Sequence, residues 1–182
     1  QRASFYQLGD GHQGIAGAKQ LQGKELSYNN ILDANAALTM VDDFETPTAV
    51  FVKHLNPCGL ASESSIENAV PLAWAGDPIS AFGGILAVNR RLTETVAKFI
   101  DDKNLFLEII IAPAYEPQAL QILQKKKNLR VLTCTLPLNL SQSHGAFEFH
   151  TVTGGLLAQE RDRGTPTICE LQTISKRKPT PA

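Results

Sequence analysis

The 182-residue sequence predicts an α/β protein, a three-layer α/β/α domain built on a mainly parallel sheet. Two observations carry this. Short apolar runs (AVFV, GGILAV, LEIIIA, LRVLTC) alternate with stretches of about ten to thirteen residues whose apolar positions recur at helical spacing. The runs are also apolar on both sides of the strand, the pattern of strands covered by helices on both faces.

Residues 1–26 are Gly- and Gln-rich, with GDGHQG in the middle, and read as loop with one short strand between Gly17 and Leu26. From Ser27, SYNNILDANAALTMVDDF sets Ile31, Ala34, Leu38 and Val41 at helical spacing, with Ser27 or an Asn as the cap. PTAVFVKH reads as an inner strand that ends in a proline-glycine turn. ESSIENAVPLAWAGD then puts Ile66, Ala69, Val70, Ala73 and Trp74 on one helical face, where Pro71 predicts a kink or a tight start.

GGILAVN is a second strand, TETVAKFIDDK a short helix capped by Thr93, and LEIIIAP a third strand. EPQALQILQKKK is a helix with cations in its last turn, suited to the helix dipole, and LRVLTC a fourth strand. Beyond the core at 27–134, PLNLSQSHGAF reads as loop, FEFHTVTGGLLAQ as strand and the remainder as a polar, proline-containing tail. The expected organisation is an N-terminal segment over 1–26, an α/β domain over 27–160 and a connecting tail over 161–182.

Bulk properties narrow the function. With 17 basic and 18 acidic residues there is no net field to attract nucleic acid or an anionic membrane, and neither is expected as a partner. No apolar segment approaches the roughly 20 residues of a membrane helix and no leader opens the chain, so the expected location is cytoplasmic. The cysteines Cys58, Cys134 and Cys169 are odd in number and far apart, which suits reduced thiols better than a disulfide framework.

Lys53-His54, where AVFV ends, is the first chemical candidate, because ligands of open α/β sheets gather beyond the carboxyl ends of strands. Adjacent strand residues point to opposite faces, but a turn beginning at Leu55 would bring both heads to one cleft. The ammonium would keep the imidazole unprotonated and available as a base. Taken alone, the same pair also describes a solvated strand end. A zinc reading of His54 and Pro57-Cys58 fails on ligand count: Asn56 stands where a Glu is needed and no second Cys follows, so no metal ligand is assigned.

GDPISAFGGILAVNR, residues 76–90, exposes backbone at Gly83-Gly84 and offers the flat face of Phe82 to a heterocycle, although a tight turn would use the same glycines. It has neither P-loop nor dinucleotide spacing. Glu108 heads an apolar strand and would bind ligand hydroxyls or an amine, or simply sit in solvent. His12, His144, His150 and the Lys125–Lys127 run receive no role.

Five strings, SYNNILDANAAL, VKHLNPCGLA, GDPISAFGGILAVNR, EIIIAPAYEPQAL and GGLLAQERD, together resemble the transformylase region of the bifunctional purine biosynthesis proteins, AICAR transformylase joined to IMP cyclohydrolase. The likeness runs over roughly residues 2–180. It implies formyl transfer from the co-substrate 10-formyltetrahydrofolate to the 5-amine of AICAR, giving FAICAR in IMP synthesis. It implies catalytic roles for His54, as the base for that amine, and Lys53, which stabilises developing negative charge. Substrate contacts are implied for Asn30, Phe82, Gly83 and Glu108, and a place in the folate wall for Ile79.

The implied fold is like that of cytidine deaminase without zinc. The cyclohydrolase domain and an Arg-Tyr-Gly element are expected upstream of Gln1. A second transformylase half, bearing a catalytic Asn and a monovalent cation site, is expected after Pro181. The implied parent is a homodimer with sites across the subunit boundary, so this piece alone is expected to turn over little. The alternative is a non-catalytic domain that binds a nucleotide or a partner protein through Phe82 and Gly83.

Overall fold

A computed structural model of the protein describes residues 3–7, 14–136, 147–160, 172–178 and 180. The chain divides into two compact units, residues 1–139 and 140–182. In the first, a 3-10 turn (Gly14–Gly17) precedes β1 (Lys19–Gln22), α1 (Tyr28–Asp42), β2 (Thr48–Lys53) and β3 (Asn56–Ser62). There follow α2 (Ile66–Gly76), β4 (Gly84–Val88), α3 (Glu94–Asp102), β5 (Leu107–Ala112), α4 (Pro117–Leu123) and β6 (Arg130–Thr133). The second unit holds a separate hairpin of β7 (Phe147–Val152) and β8 (Gly155–Glu160).

The six strands of the first unit form one sheet in the order β1-β6-β5-β4-β2-β3. β4, β5 and β6 are mutually parallel; β2 runs against β4, β3 against β2 and β1 against β6. Four strands therefore share one direction, as expected of a mainly parallel sheet, while β2 and β1 oppose it. Helices cover both faces. Along β2, Ala49 and Phe51 join α2, α3 and α4 in one apolar cluster, while the alternate residues Val50 and Val52, also fully buried, point to the other face, where α1 buries Ala34, Ala37, Leu38 and Val41.

The caps explain where the helices start. Ser27 and Asn30 form a reciprocal capping box at α1, Ser65 accepts from the Asn68 amide at α2, and Thr93 from the Val96 amide at α3. Pro71 lies inside α2, which continues through it to Gly76.

Three expectations change. Asn56–Ser62 is a strand: its proline and glycine pair with β2 and make no turn. Gly59 is there for contact, since a Cβ on it would overlap the Ala73 carbonyl oxygen of α2. Next, α4 ends at Leu123, so Lys125–Lys127 lie beyond its last turn. Finally, FEFHTVTGGLLAQ makes two strands, turning at Gly154 in the left-handed region.

Candidate functional site

The direction of β2 decides where chemistry gathers. Its carboxyl end lies beside the amino end of β4, with Val52 paired to Ile85 and Gly84 to Leu107. Lys53 and His54 therefore stand at the rim where the parallel strands begin, not where they end as the carboxyl-end rule suggests. The amino end of α1, the start of β3 and the connections ahead of β4, β5 and β6 meet at the same rim.

The β2–β3 hairpin closes on a two-residue turn, His54-Leu55, between the paired Lys53 and Asn56. Both residues lie in the left-handed region, with φ of 54° and 65°. Such turns are normally Gly- or Asn-rich, and each bulky residue there costs about 1–2 kcal/mol. Two hydrogen bonds hold the conformation: the Leu55 amide donates to Asp33 Oδ1 (2.9 Å) and the Asn56 side chain to the His54 carbonyl (2.8 Å). Strain of this kind concentrates where a side chain must be aimed, and here it sets the exposed imidazole of His54 beside Lys53.

Lys53 and His54 line one shallow hollow of about 450 Å³ with Asn56, Cys58, Asp77 and Ser80. Asp77 shapes its floor, accepting from the Ile79 and Ser80 amides (3.1 and 2.9 Å) and from the Ser80 hydroxyl (2.6 Å). The Ser80 hydroxyl and amide hold the Asp77 carboxyl below its ordinary range. Burial, helped by the Asp77 charge and opposed by Lys53, pushes the Cys58 thiol up, which makes it a weaker nucleophile than an ordinary cysteine.

From the same rim Lys53 Nζ donates to the Phe82 carbonyl at 2.7 Å. That bond joins this hollow to a second, of about 620 Å³, which Phe82, Phe106, Glu108 and Arg130 line with three lysines. The rings of Phe82 and Phe106 lie 5.0 Å apart and Phe82 is 58% exposed, so a flat apolar wall faces the opening. Gly83, with φ of 74°, donates its amide to the Phe106 carbonyl (2.8 Å) and turns the chain into β4.

Asn30, 6% exposed, donates from its side chain to Glu108 Oε2 at 2.7 Å. Arg130 approaches the same oxygen at 3.8 Å and donates to the Glu25 carbonyl at 2.9 Å. Glu108 is thus a positioned carboxylate, oriented by an amide and a guanidinium.

The structure therefore pairs Lys53 with His54 in one hollow, and Phe82 with Glu108 in the other. Asn30 lies behind Glu108, Gly83 shapes the wall, and Ile79 projects at 89% exposure from the 77–83 loop. Among the unanticipated neighbours, Asp77 and Ser80 carry a signal in Asp-Pro-x-Ser turn chemistry. Arg130 carries none, because only the β5–β6 register brings it to Glu108. His150 lies exposed on β7, and His12, His144 and Cys169 fall outside the described residues. No group of three or more His, Cys, Asp or Glu is placed to hold a metal among the described residues, and no helix among them is long and apolar enough to cross a membrane.

Comparison with known proteins adds family evidence. The family model of the AICARFT/IMPCHase bienzyme matches residues 1–182. The chain is 48% identical over 183 residues to a protein of Halalkalibacterium halodurans named Bifunctional purine biosynthesis protein PurH, covering 100% of this chain and 35% of that protein. Proteins of the same name from Lactiplantibacillus plantarum and Staphylococcus carnosus are 46% and 44% identical, covering 100% and 99% of this chain and again 35% of their own length. The chain thus spans about a third of the length of these curated relatives.

Proposed function

The chain belongs to the AICARFT/IMPCHase bienzyme family, and from that premise we propose that it supplies part of the formyl-transfer site of a bifunctional purine biosynthesis enzyme. The reaction is transfer of the formyl group of 10-formyltetrahydrofolate to the 5-amine of AICAR, giving FAICAR on the way to IMP. A bond forms between the amine nitrogen and the formyl carbon as the bond from that carbon to the folate nitrogen breaks. His54 takes the proton the amine loses, and the departing folate nitrogen is protonated in turn. Lys53 steadies the negative charge that develops between the two steps.

The observation that carries this reading is the Lys53-His54 pair: an exposed imidazole held by a strained turn, beside an ammonium anchored 2.7 Å from the Phe82 carbonyl. In the reading, the AICAR ring rests near Phe82 and Gly83, Glu108 with Asn30 behind it takes a polar group of the substrate, and Ile79 meets the folate. The rest of the site, the monovalent cation and the IMP cyclohydrolase activity belong to the remaining length of the protein, which works as a homodimer in the cytoplasm.

The test is His54→Ala in a protein of the relatives' full length. Formyl transfer is expected to fall about 10²- to 10⁴-fold while AICAR still binds; near-normal turnover would remove the assigned role. The exposed Phe82-Phe106 wall favours a second reading, a non-catalytic nucleotide-binding domain. It would be supported if this chain bound AICAR with no contribution from Lys53 or His54.

A further inference from the structure

The His54-Leu55 turn is gripped at a single peptide bond. The Leu55 amide, which donates to Asp33 Oδ1 at 2.9 Å, and the His54 carbonyl, which accepts from the Asn56 side chain at 2.8 Å, are the two ends of the peptide between those residues. Packing holds it little, since His54 is exposed and Leu55 is 49% exposed. Both residues sit at positive φ, where a side chain crowds the following carbonyl, so each gains by leaving the left-handed region once that peptide is released. The two hydrogen bonds therefore decide whether the turn persists.

The two partners differ in kind. Asn56 belongs to the same hairpin, so its bond stiffens the turn without fixing it to the body of the protein. Asp33 comes from α1, whose start is set by the Ser27-Asn30 capping box and whose inner face buries Ala34, Ala37, Leu38 and Val41. That helix packs across β2 and β4. Asp33 is half-buried, and among the described residues its carboxylate pairs with no cation and hydrogen-bonds only to Leu55. A carboxylate reserved for one backbone amide makes a charge-assisted bond, stronger than one between neutral groups. Asp33 thus ties the turn to a helix, while Lys53, through the Phe82 carbonyl, ties the strand end to the loop ahead of β4.

We infer that Asp33 is a positioning residue for His54: by holding the Leu55 amide it keeps the imidazole aimed into the hollow that His54 shares with Lys53. It touches no substrate in this role and acts through the backbone of the turn. What the role demands is an acceptor oxygen at that place, because catalytic side chains work only within a narrow range of positions. The charge strengthens the bond but does not supply the aim. The effect on catalysis rests on the proposed formyl-transfer role of His54. The placement of the ring does not.

The test uses a protein of the relatives' full length. Asp33→Ala is expected to lower kcat roughly 10- to 100-fold while KM for AICAR stays within about threefold of wild type. Asp33→Asn, which keeps an acceptor oxygen at the same reach, should recover most of the loss. Asp33→Glu, which keeps the charge but moves the oxygen by one methylene, should not. In a His54→Ala background Asp33→Ala should cost less than about twofold more, since the residue it positions is gone. A full loss in that background, or recovery by Glu and not by Asn, overturns the inference and points to a charge acting directly at the site. Histidine-ring NMR reads the same question without turnover. The His54 signal, identified by its loss in His54→Ala, should shift in Asp33→Ala and Asp33→Glu and stay near its wild-type place in Asp33→Asn. A ring signal unmoved in Asp33→Ala overturns the positioning even where activity falls. A shifted ring together with near-normal turnover in His54→Ala keeps the positioning and removes the formyl-transfer role. If Asp33→Ala does not fold, the Asn and Glu variants decide alone.

Discussion

The Lys53 ammonium donates to the Phe82 carbonyl across 2.7 Å, so the last side chain of β2 carries the loop that leads into β4. This bond is exposed and made to a neutral acceptor, so Lys53→Met is expected to lower global stability by only about 0.5 kcal/mol. Its local effect is larger. Hydrogen exchange at the Phe82 and Gly84 amides, which close the loop onto Ile79 and Ala81, should quicken in the variant. Unchanged exchange at both would show that the loop holds itself.

The left-handed turn should respond to residues that tolerate it. Leu55→Asn puts a polar residue at a half-exposed apolar site and relieves backbone strain, and is expected to stabilise the chain by about 1 kcal/mol, roughly 2–4 °C in Tm. Asp33→Ala removes the acceptor of the Leu55 amide and should move Tm the other way. Thermal unfolding of the two variants decides it; a Leu55→Asn chain that melts earlier than wild type would mean that leucine packing outweighs the strain.

Asn30 works twice. Its Oδ1 accepts from the Ser27 amide in the capping box (3.1 Å), and its Nδ2 donates to Glu108. Asn30→Leu loses both and leaves Glu108 with the distant Arg130 alone, an expected cost of about 2–3 kcal/mol in urea unfolding. Glu108→Gln, which can still accept from Asn30, should cost less than half as much.

Burial, with the Asp42 charge adding to it, pushes the Cys134 thiol up to about 11 from an ordinary 9.0. The Sγ–H donates to the Gly14 carbonyl at 3.1 Å. A folded-state pKa above the unfolded one means the thiol contributes fully below pH 9 and loses that contribution as pH rises through about 11. The stability advantage of wild type over Cys134→Ala, read by urea unfolding, should be flat up to pH 8.5 and shrink from there towards pH 11. A difference that stays constant to pH 11 would show that the thiol titrates alike in both states.

What the sequence made legible follows from local periodicity. Ile31 to Val41, Ile66 to Trp74 and the Thr93 cap are local signals, and they mark three helices within a residue or two. β3 was hidden because its burial alternates weakly and its glycine serves a contact with Ala73, which lies in another element. Strand direction was hidden for a related reason. Nothing in AVFVKH says that its neighbour Ile85 runs the other way, and so the rim that holds Lys53 was assigned to the wrong end of the parallel strands. The Glu108-Arg130 approach and the hold of Asp33 on the Leu55 amide depend on pairings between residues 22 apart in the chain, out of reach of any windowed pattern.

The reversal of β2 has a practical corollary. With both hollows on one rim, and with residues 113–116 on the opposite rim tied to Leu92 and anchored by the Tyr115 hydroxyl, the link that can change in length without disturbing either hollow is the exposed one at Ser64, between β3 and the cap of α2. Reporter peptides or fluorophores placed there would sense folding while leaving ligand capture alone, whereas the same graft at Asn104 would rebuild the wall beside Phe106. Sequence drift should follow the same partition, with insertions collecting on the silent side of the sheet.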